Sequence, residues 1–225
     1  MKVLVINPVG HDTWDKQDEE IYRGYASSET EIRVVSLPKG PATVERPEDH
    51  AEVIPLVIDV AKKMYRDFDA IIVNCFLDPG VKLLRGIIEK PVIGPCEASL
   101  HIASTIGSKL SVITVGKHDT TWMIEDRIKE LGFSDRVVSV RGIPLGVMDI
   151  NKERTTVINY LIEESKKAVS EDGTDVIILG CTGLAGMAKE VQEKVKVPVV
   201  DPSGAAIKMA EALVKLGLFN VLVRR

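Results

Sequence analysis

Two cysteines stand at matched positions in two similar stretches of the sequence. Asp69-Ala-Ile-Ile-Val-Asn-Cys75 and Asp175-Val-Ile-Ile-Leu-Gly-Cys181 are apolar runs of strand length, and each places one cysteine at its carboxyl end. Cys75 and Cys181 are 106 positions apart in a chain of 225 residues, which is close to half of the chain. Two opposed thiols can remove a proton from one face of a carbon and return a proton to the other face. The pair therefore predicts an enzyme that inverts a C–H centre.

Each cysteine is followed by a turn that leads towards a helix. Asp78 and Pro79, after Cys75, fit the N-cap and the first position of a helix, and Cys181 precedes the Gly-containing segment Thr182-Gly-Leu184. The unpaired N–H groups and partial positive charge at a helix N-terminus stabilise a thiolate and lower the pKa of the cysteine. We therefore predict that both thiols lie close to helix N-termini.

Short runs rich in Val, Ile and Leu alternate with helical patterns, which predicts βαβ units and parallel sheets. The runs show little apolar–polar alternation, as expected when helices cover both faces of a sheet. The predicted strands are Lys2–Ile6, Glu31–Leu37, Asp69–Cys75, Pro91–Gly94, Lys109–Val115, Arg136–Gly142, Asp175–Cys181 and Val197–Asp201. The predicted helices include Val53–Phe68, Thr120–Leu131, Lys152–Ser170, Leu184–Val195 and Ala205–Leu218.

The second half of the chain repeats the first with a nearly constant offset. Asp69 corresponds to Asp175 at 106 positions, and Pro91-Val-Ile corresponds to Pro198-Val-Val at 107. This repetition predicts two similar parallel-sheet α/β lobes that arose by internal duplication.

The predicted boundaries place residues 1–95 plus 205–225 in the first lobe and residues 96–204 in the second. Ligands of parallel α/β sheets bind at the carboxyl ends of the strands, where both cysteines stand. We therefore expect the active site in a cleft between the lobes.

Composition excludes several classes of function. The net charge of −4 and the lack of a Lys/Arg run argue against a nucleic-acid partner. No apolar run approaches the ~20 residues of a membrane span, and the first residues read as a strand instead of a signal peptide. We predict a cytoplasmic protein. The odd number of three cysteines, without a C-x-x-C motif or a histidine cluster, predicts neither a disulfide framework nor a metal site.

Several motifs fit one family. They are Ile6-Asn-Pro8, Gly40-Pro-Ala-Thr-Val-Glu45, Cys75-Phe-Leu-Asp-Pro-Gly80, Pro91-Val-Ile-Gly94, Glu97-Ala-Ser99, Ser111-Val-Ile-Thr114, Leu179-Gly-Cys-Thr-Gly-Leu184 and Val197-Pro-Val-Val-Asp201. With them the chain resembles the aspartate/glutamate racemase superfamily, and most closely its hydantoin racemase branch. The second and third motifs are fairly specific to that branch.

The resemblance implies an isomerase, a cofactor-independent racemase of a small cyclic ureide such as a 5-substituted hydantoin or allantoin. It implies that Cys75 and Cys181 are the catalytic pair, one as thiolate and one as thiol, with no cofactor and no metal. It also implies a small-molecule substrate and a homo-oligomer. The residues implied to bind substrate are Asn7, Thr43, Asn74, Phe76, Asp78, Thr114, Thr182 and Gly183.

The chain departs from the branch at two places beside these residues. Val9-Gly-His11 follows Asn7-Pro8, where hydantoin racemases continue with Asn-Thr or Asn-Ser, and Val115-Gly116 stands where they often show Thr-Leu. The substrate therefore stays open, with aspartate or glutamate racemisation and a maleate-isomerase-type cis–trans isomerisation as alternatives.

Two other classes of function also stay open. A Cys–His hydrolase would pair one thiol with His101 or His118, and would leave the second matched cysteine unexplained. A two-lobed ligand-binding protein would leave both unexplained. Cys96 lies outside the repeat and is interpreted as a packing residue.

Overall fold

Strands and helices alternate along the whole chain. The computed structural model describes residues 1–116 and 118–220, apart from the side chains of residues 118–120. In these residues the strands are β1 (Lys2–Asn7), β2 (Glu31–Ser36), β3 (Ala70–Val73), β4 (Val92–Ile93), β5 (Leu110–Val115), β6 (Val137–Ile143), β7 (Val176–Leu179) and β8 (Val199–Val200). The α-helices are α1 (Asp15–Tyr25), α2 (Pro47–Met64), α3 (Val81–Arg85), α4 (Pro95–Ser104), α5 (His118–Glu130), α6 (Arg154–Lys167), α7 (Ala188–Val195) and α8 (Pro202–Lys215).

The chain divides into two compact units. The first unit comprises Met1–Pro95 and the C-terminal segment that begins at Ser203, and the second comprises Cys96–Pro202. The chain thus leaves the first unit at the start of α4 and returns to it at the start of α8. Residues 221–225, which the sequence assigns to the first lobe, lie outside the described residues.

Each unit is built on one parallel sheet of the same topology. The strand order is β2-β1-β3-β4 in the first unit and β6-β5-β7-β8 in the second. Every strand pair that the structure describes is parallel. The predicted α/β class, with two similar parallel sheets, is therefore confirmed.

The central strands of both sheets are buried on both faces. In β1, Leu4 and Ile6 pack with α2 in one apolar cluster, while Val3 and Val5 on the opposite face are also fully buried. β7 of the second unit is likewise buried at every position. This double burial explains why the strand sequences lack alternation.

Backbone contacts repeat between the units as closely as the sequence does. The Asp69 carboxylate accepts the N–H of Lys2 at 2.7 Å, and the Asp175 carboxylate accepts the N–H of Lys109 at 3.0 Å. At the other end of the same strand pairs, the N–H of residue 74 donates to the carbonyl of Ile6, as that of residue 180 donates to Ile113. These matched bonds support the internal duplication, because chance likeness of apolar strands would not reproduce the same carboxylate contact at one end and the same register at the other.

Several predicted element boundaries are wrong. β3 and β7 end at Val73 and Leu179, two residues before the cysteines, where their pairing with the central strands β1 and β5 ends. α2 begins at Pro47 instead of Val53, since proline fits the first turn and the Asp49 carboxylate accepts the N–H of Arg46.

The last helix is held on the first unit by one carboxylate. Glu211 of α8 is 4% exposed and accepts hydrogen bonds from the backbone and hydroxyl of Ser27 at 2.7 and 2.9 Å and from the hydroxyl of Thr30 at 2.7 Å. The ammonium group of Lys208 lies 2.9 Å from Oε2 of Glu211, the oxygen that also accepts the Ser27 hydroxyl. These bonds connect the end of the described chain to the loop between α1 and β2.

No described helix is both long enough and apolar enough to cross a lipid bilayer.

Candidate active site

Cys75 lies just beyond the end of β3, in the first unit. Its N–H donates to the carbonyl of Val73 at 2.8 Å, and its own carbonyl accepts the N–H of Asp78 at 3.0 Å. The chain therefore reverses direction at the cysteine. The residue is partly exposed, while the following Phe76 is buried. This turn places Cys75 at the carboxyl edge of the sheet.

The predicted helix start after Cys75 is wrong. Asp78 has a left-handed backbone with φ of 50°, Gly80 is also left-handed at 76°, and α3 begins only at Val81. The reason is the side chain of Asp78, which is 4% exposed and lies against Gly94 at the end of β4. A Cβ atom on residue 94 would stand 2.3 Å from the carboxyl carbon of Asp78, so only glycine fits there. The carboxylate thus braces the turn instead of capping a helix.

Asn7 and Asn74 meet beneath this turn. The Nδ2 group of Asn74 donates to Oδ1 of Asn7 at 2.7 Å and to Oδ2 of Asp18 at 3.3 Å. The Nδ2 group of Asn7 donates to Asp15 and Asp18, both at 2.9 Å. Each amide NH₂ has two hydrogens, and all four are used. Neither asparagine has a spare donor for a substrate carbonyl.

The same network continues into helix α1. The hydroxyl of Tyr22 donates to Oδ1 of Asn74 at 2.8 Å, and the hydroxyl of Ser36 donates to Asp15 at 2.6 Å. Burial raises the pKa of Asp18 to about 6, a hydrogen bond from Asn7 opposes the rise, and the charge of Asp15 adds to it. Asp18, with a pKa of about 6, is therefore hydrogen-bonded to Asn74, the residue that precedes Cys75.

Thr43 lies in the irregular loop between β2 and α2, and is partly buried. This loop is fastened to the loop after β1, where the N–H of Gly10 donates to Pro41 at 2.9 Å and Nε2 of His11 donates to the carbonyl of Ala42 at 2.9 Å. A side chain at position 10 would collide with Gly40, since its Cβ would stand 2.4 Å from the Gly40 oxygen. The departures from the usual family sequence at Gly10 and His11 therefore serve to hold the Thr43 loop.

Cys181 lies beyond the end of β7 in the second unit. It is partly exposed and precedes a 3₁₀ turn at Thr182–Leu184, with the N–H of Leu184 donating to its carbonyl at 3.0 Å. A Cβ atom on Gly183 would stand 3.5 Å from its sulfur, so the thiol points to the side on which Gly183 lacks a side chain. α7 starts at Ala188, which makes the predicted helix start at Leu184 wrong. Turns, and not helix N-termini, follow both cysteines.

Thr114 and Thr182 are both buried. The hydroxyl of Thr114 donates to the carbonyl of Gly180 at 2.9 Å and so ties β5 to the residue before Cys181. A Cβ atom on Gly180 would stand 2.5 Å from a methyl of Val112, which explains the glycine. The bond of Thr114 is the counterpart of the bond between the two asparagines, made here with a backbone acceptor.

A carboxylate also braces the turn after Cys181, but it comes from the opposite side. Asp201, at the end of β8, accepts the N–H of Gly186 at 2.7 Å. In the first unit the strand end is Gly94 and the carboxylate of Asp78 comes from the turn. Both halves thus join the cysteine turn to the fourth strand through one buried carboxylate.

The chain matches one family along nearly its whole length. The sequence model of the Asp/Glu/Hydantoin racemase family matches residues 3–210. The chain belongs to this family. A hydantoin racemase of Pseudomonas sp. (strain NS671) is 38% identical over 218 residues, which cover 96% of this chain and 87% of that relative.

Solved structures agree. Allantoin racemase from Klebsiella pneumoniae has a TM-score of 0.93 at 28% identity, with 99% of this chain and 93% of that chain covered. Allantoin racemase from Pseudomonas fluorescens has a TM-score of 0.94 at 31% identity, covering 98% and 93%. The predicted resemblance is confirmed, and so is the predicted enzyme class, an isomerase of the racemase type.

The sequence alone does not predict the role of three side chains in this racemase family member. Asp15, Asp18 and Tyr22 hold the asparagines, and their spacing of three and four residues, which places them on one helix face, was the available signal. Asp201 is a further residue of this kind. It ends the Val197–Asp201 motif, and the hydrogen bond that it accepts from Gly186 reveals its role.

In the part of the chain that the structure describes, the thiols and histidines are not arranged as a metal site. No group of three or more His, Cys, Asp or Glu in the described ranges is arranged to hold a metal ion. The three cysteines are not joined in disulfides. The exposed His101 packs its ring edge-on against Phe133, with ring centres 5.1 Å apart, and the side chain of His118 lies outside the described residues. His101 therefore offers no support for a hydrolase.

Proposed function

We propose that this protein interconverts the enantiomers of a 5-substituted hydantoin or of allantoin by proton transfer between Cys75, the substrate and Cys181. Membership of the Asp/Glu/Hydantoin racemase family supports the reaction class. The similarity to a hydantoin racemase and to two allantoin racemases supports a cyclic ureide as substrate.

The observation on which the proposal chiefly rests is the equivalence of the two cysteines. Each follows the third strand of its sheet by two residues, stands in a turn at the carboxyl edge, and is partly exposed. Cys96 differs in every respect, because it is fully buried within α4 and its counterpart in the repeat, Ser203, is not a cysteine. Two equivalent, accessible thiols are what a reaction needs when each enantiomer presents its hydrogen to a different group.

The proposed reaction is balanced without any other reactant. The thiolate of one cysteine removes the proton from C5 of the ring, and the electron pair of the C–H bond passes to the adjacent carbonyl to give an enolate. The thiol of the other cysteine then protonates C5 from the opposite face. Product leaves with the protonation states of Cys75 and Cys181 exchanged, so the reverse reaction is ready to proceed.

The hydrogen bonds of the first unit restrict how a ureide can bind. Because the NH₂ groups of Asn7 and Asn74 donate elsewhere, any contact of these residues with substrate uses Oδ1 as the acceptor of a ring N–H. We assign contacts with substrate to Thr43, Thr182 and the open face of Gly183. The remaining predicted residues are buried and hold the two cysteine turns in place without contacting the substrate. They are Phe76, Asp78 and Thr114.

Proton exchange in deuterium oxide tests the proposed reaction. Enantiopure benzylhydantoin, allantoin and aspartate would be incubated separately with the enzyme, with buffer blanks, while optical rotation and deuterium at the stereogenic carbon are followed. We expect loss of rotation and deuterium uptake with a ureide, and neither with aspartate. Exchange of aspartate alone, or of none of the three, would refute the proposed substrate class.

Three serine variants test the assignment of the thiols. Cys75→Ser and Cys181→Ser should each abolish racemisation, and each should retain deuterium exchange from one enantiomer only, because one base survives. Cys96→Ser is the matched control and should retain full activity. Full racemisation by either of the first two variants would refute the two-base mechanism.

The proposal includes independence of metals and cofactors, because the two thiols supply both proton-transfer groups. Dialysis against EDTA should therefore leave the racemisation rate unchanged. We also propose that the enzyme is a cytoplasmic homo-oligomer, and light scattering after size-exclusion chromatography measures the subunit number.

A further inference from the structure

Three polar side chains of helix α1 face the sheet of the first unit, and the proposed proton transfer does not use them. Asp15, Asp18 and Tyr22 lie on one face of the helix, and Tyr22 is fully buried. Oδ2 of Asp18 accepts hydrogen bonds from Asn7 and from Asn74, at 2.9 and 3.3 Å. One carboxylate thus connects the ends of β1 and β3.

Asn74, the residue before Cys75, is held from several directions. Its amide donates to Asn7 and Asp18, its Oδ1 accepts from Tyr22, and its backbone N–H donates to Ile6 at 2.8 Å. Carboxylate oxygens only accept hydrogen bonds, so Asp18 also determines which way the asparagine amides face. The position of Asn74, the residue before Cys75, therefore depends on Oδ2 of Asp18 as the common acceptor of both amides.

The second unit holds the equivalent residue in a different way. There the residue before the cysteine is Gly180, and the hydroxyl of Thr114 donates to its carbonyl at 2.9 Å. Burial and the neighbouring Asp15 raise the pKa of Asp18, so its charged form disfavours the folded state. A partly buried carboxylate that lowers stability while it bridges two strand ends is typical of a functional position.

We propose that Asp18 is a positioning residue for Cys75, because it fixes Asn74 and with it the turn that bears the thiol. This inference rests on the proposed function, since the effect sought is on proton transfer by Cys75. Asp18 acts through Asn74 and does not touch the substrate.

The test compares Asp18→Leu with Glu20→Gln, an exposed position two residues further along α1. Leucine has a similar size and branching but accepts no hydrogen bond, so the amides of Asn7 and Asn74 both lose their common acceptor. We expect kcat to fall about 10-fold to 100-fold, as for other losses of positioning, with a smaller change in KM. The Tm should change by no more than about 5 °C, because the loss of two hydrogen bonds and the removal of a desolvated charge oppose each other. Glu20→Gln should change none of these.

The pH dependence separates positioning from simple packing. The groups that face Asp18 are the Asn7 amide from β1, the Asn74 amide after β3 and Asp15, which in turn accepts from Ser36 of β2. Asp18 protonated on Oδ1 still accepts both amides with Oδ2, but a neutral acceptor forms weaker hydrogen bonds than a carboxylate does. In the wild type, kcat/KM should therefore fall in part as the pH drops through about 6, and this step should be missing in Asp18→Leu.

A second measurement does not depend on the reaction. With Cys96 and Cys181 both changed to serine, the rate at which iodoacetamide alkylates Cys75 should change several-fold on adding Asp18→Leu and stay constant on adding Glu20→Gln. Tyr22→Phe removes a single hydroxyl and should give a smaller change, which covers the case of a poorly folded Asp18 variant.

The outcomes are distinct. A wild type without racemase activity refutes the proposed function, while the alkylation rates still decide the role of Asp18. Wild-type kcat and alkylation rate in Asp18→Leu would overturn the inference and leave the proposed function standing. A drop in Tm of more than about 5 °C that accounts for the lost activity would also overturn it, since Asp18 would then be a structural residue.

Discussion

Glu211 allows the strength of one contact to be worked out from the structure. Burial alone would raise the pKa of this carboxyl, but hydrogen bonds from Thr30, Lys208 and Ser27 outweigh it and lower the pKa from 4.5 to about 2. One pKa unit corresponds to about 1.4 kcal/mol, so ionised Glu211 stabilises the folded protein by about 3 kcal/mol at pH 7. Because the pKa is lowered, this contribution is complete above pH 4.5 and disappears as the pH falls through 2. At pH 3 about 1.4 kcal/mol remains.

The predicted perturbation is Glu211→Gln, which keeps the shape and removes the charge. The chain has two tryptophans, Trp14 in the first unit and Trp122 in the second, so a Trp122→Phe background leaves a fluorescence signal that reports the first unit. Urea unfolding should show a loss of about 3 kcal/mol at pH 7 and about half of that at pH 3. Glu20→Gln, on the exposed side of α1, is the control.

Two results would refute this reasoning. A loss below about 1 kcal/mol at pH 7 would mean that the four hydrogen bonds do not favour the ionised form as strongly as the lowered pKa requires. An equal loss at both pH values would mean that the variant acts through packing and not through the charge.

Two glycines beside the cysteine turns give further predictions. Gly183→Ala would set its Cβ 2.8 Å from Cδ1 of the buried Ile150 and 3.5 Å from the sulfur of Cys181, so the turn or Ile150 must shift. This should lower kcat/KM by ten-fold or more and the Tm by several degrees, whereas Gly24→Ala, with open space around it, should leave both intact. Gly94→Ala would set its Cβ 2.3 Å from the carboxyl carbon of Asp78 and should lower the Tm by several degrees. Adding Asp78→Ala to Gly94→Ala should recover part of the Tm, and no recovery would contradict the collision.

The sheets could be predicted from the sequence because strands buried on both faces appear as apolar runs. Their ends could not, since β3 and β7 end where their pairing with β1 and β5 ends, and the sequence does not specify that register. Edge strands such as β4 have almost no pattern of their own. α1 could not be predicted either, because it is mostly charged and has few apolar residues that would mark its core-facing side.

The candidate site divides in the same way. The cysteines could be found because the duplication repeats them, and Asn7 and Asn74 because they end strands of the sheet. Their partners could not be found, because a hydrogen bond between α1 and Asn74 joins residues far apart in the chain. The amides expected to serve substrate instead serve Asp18, and only the coordinates reveal that their hydrogens are already in use.

A variant at Thr114 tests whether the residue at this strand end stabilises the fold or binds the substrate. Its hydroxyl is buried and donates to the carbonyl of Gly180, which fixes the residue before Cys181. Thr114→Val keeps the shape and leaves that carbonyl without its donor, at a cost of about 1–3 kcal/mol. If the hydroxyl only braces the strand, urea unfolding should show this loss while KM for the ureide stays within two-fold, and Thr114→Ser should restore stability. A large rise in KM with unchanged stability would instead make Thr114 a substrate contact, because a hydroxyl bound to a ligand contributes nothing to the unliganded fold.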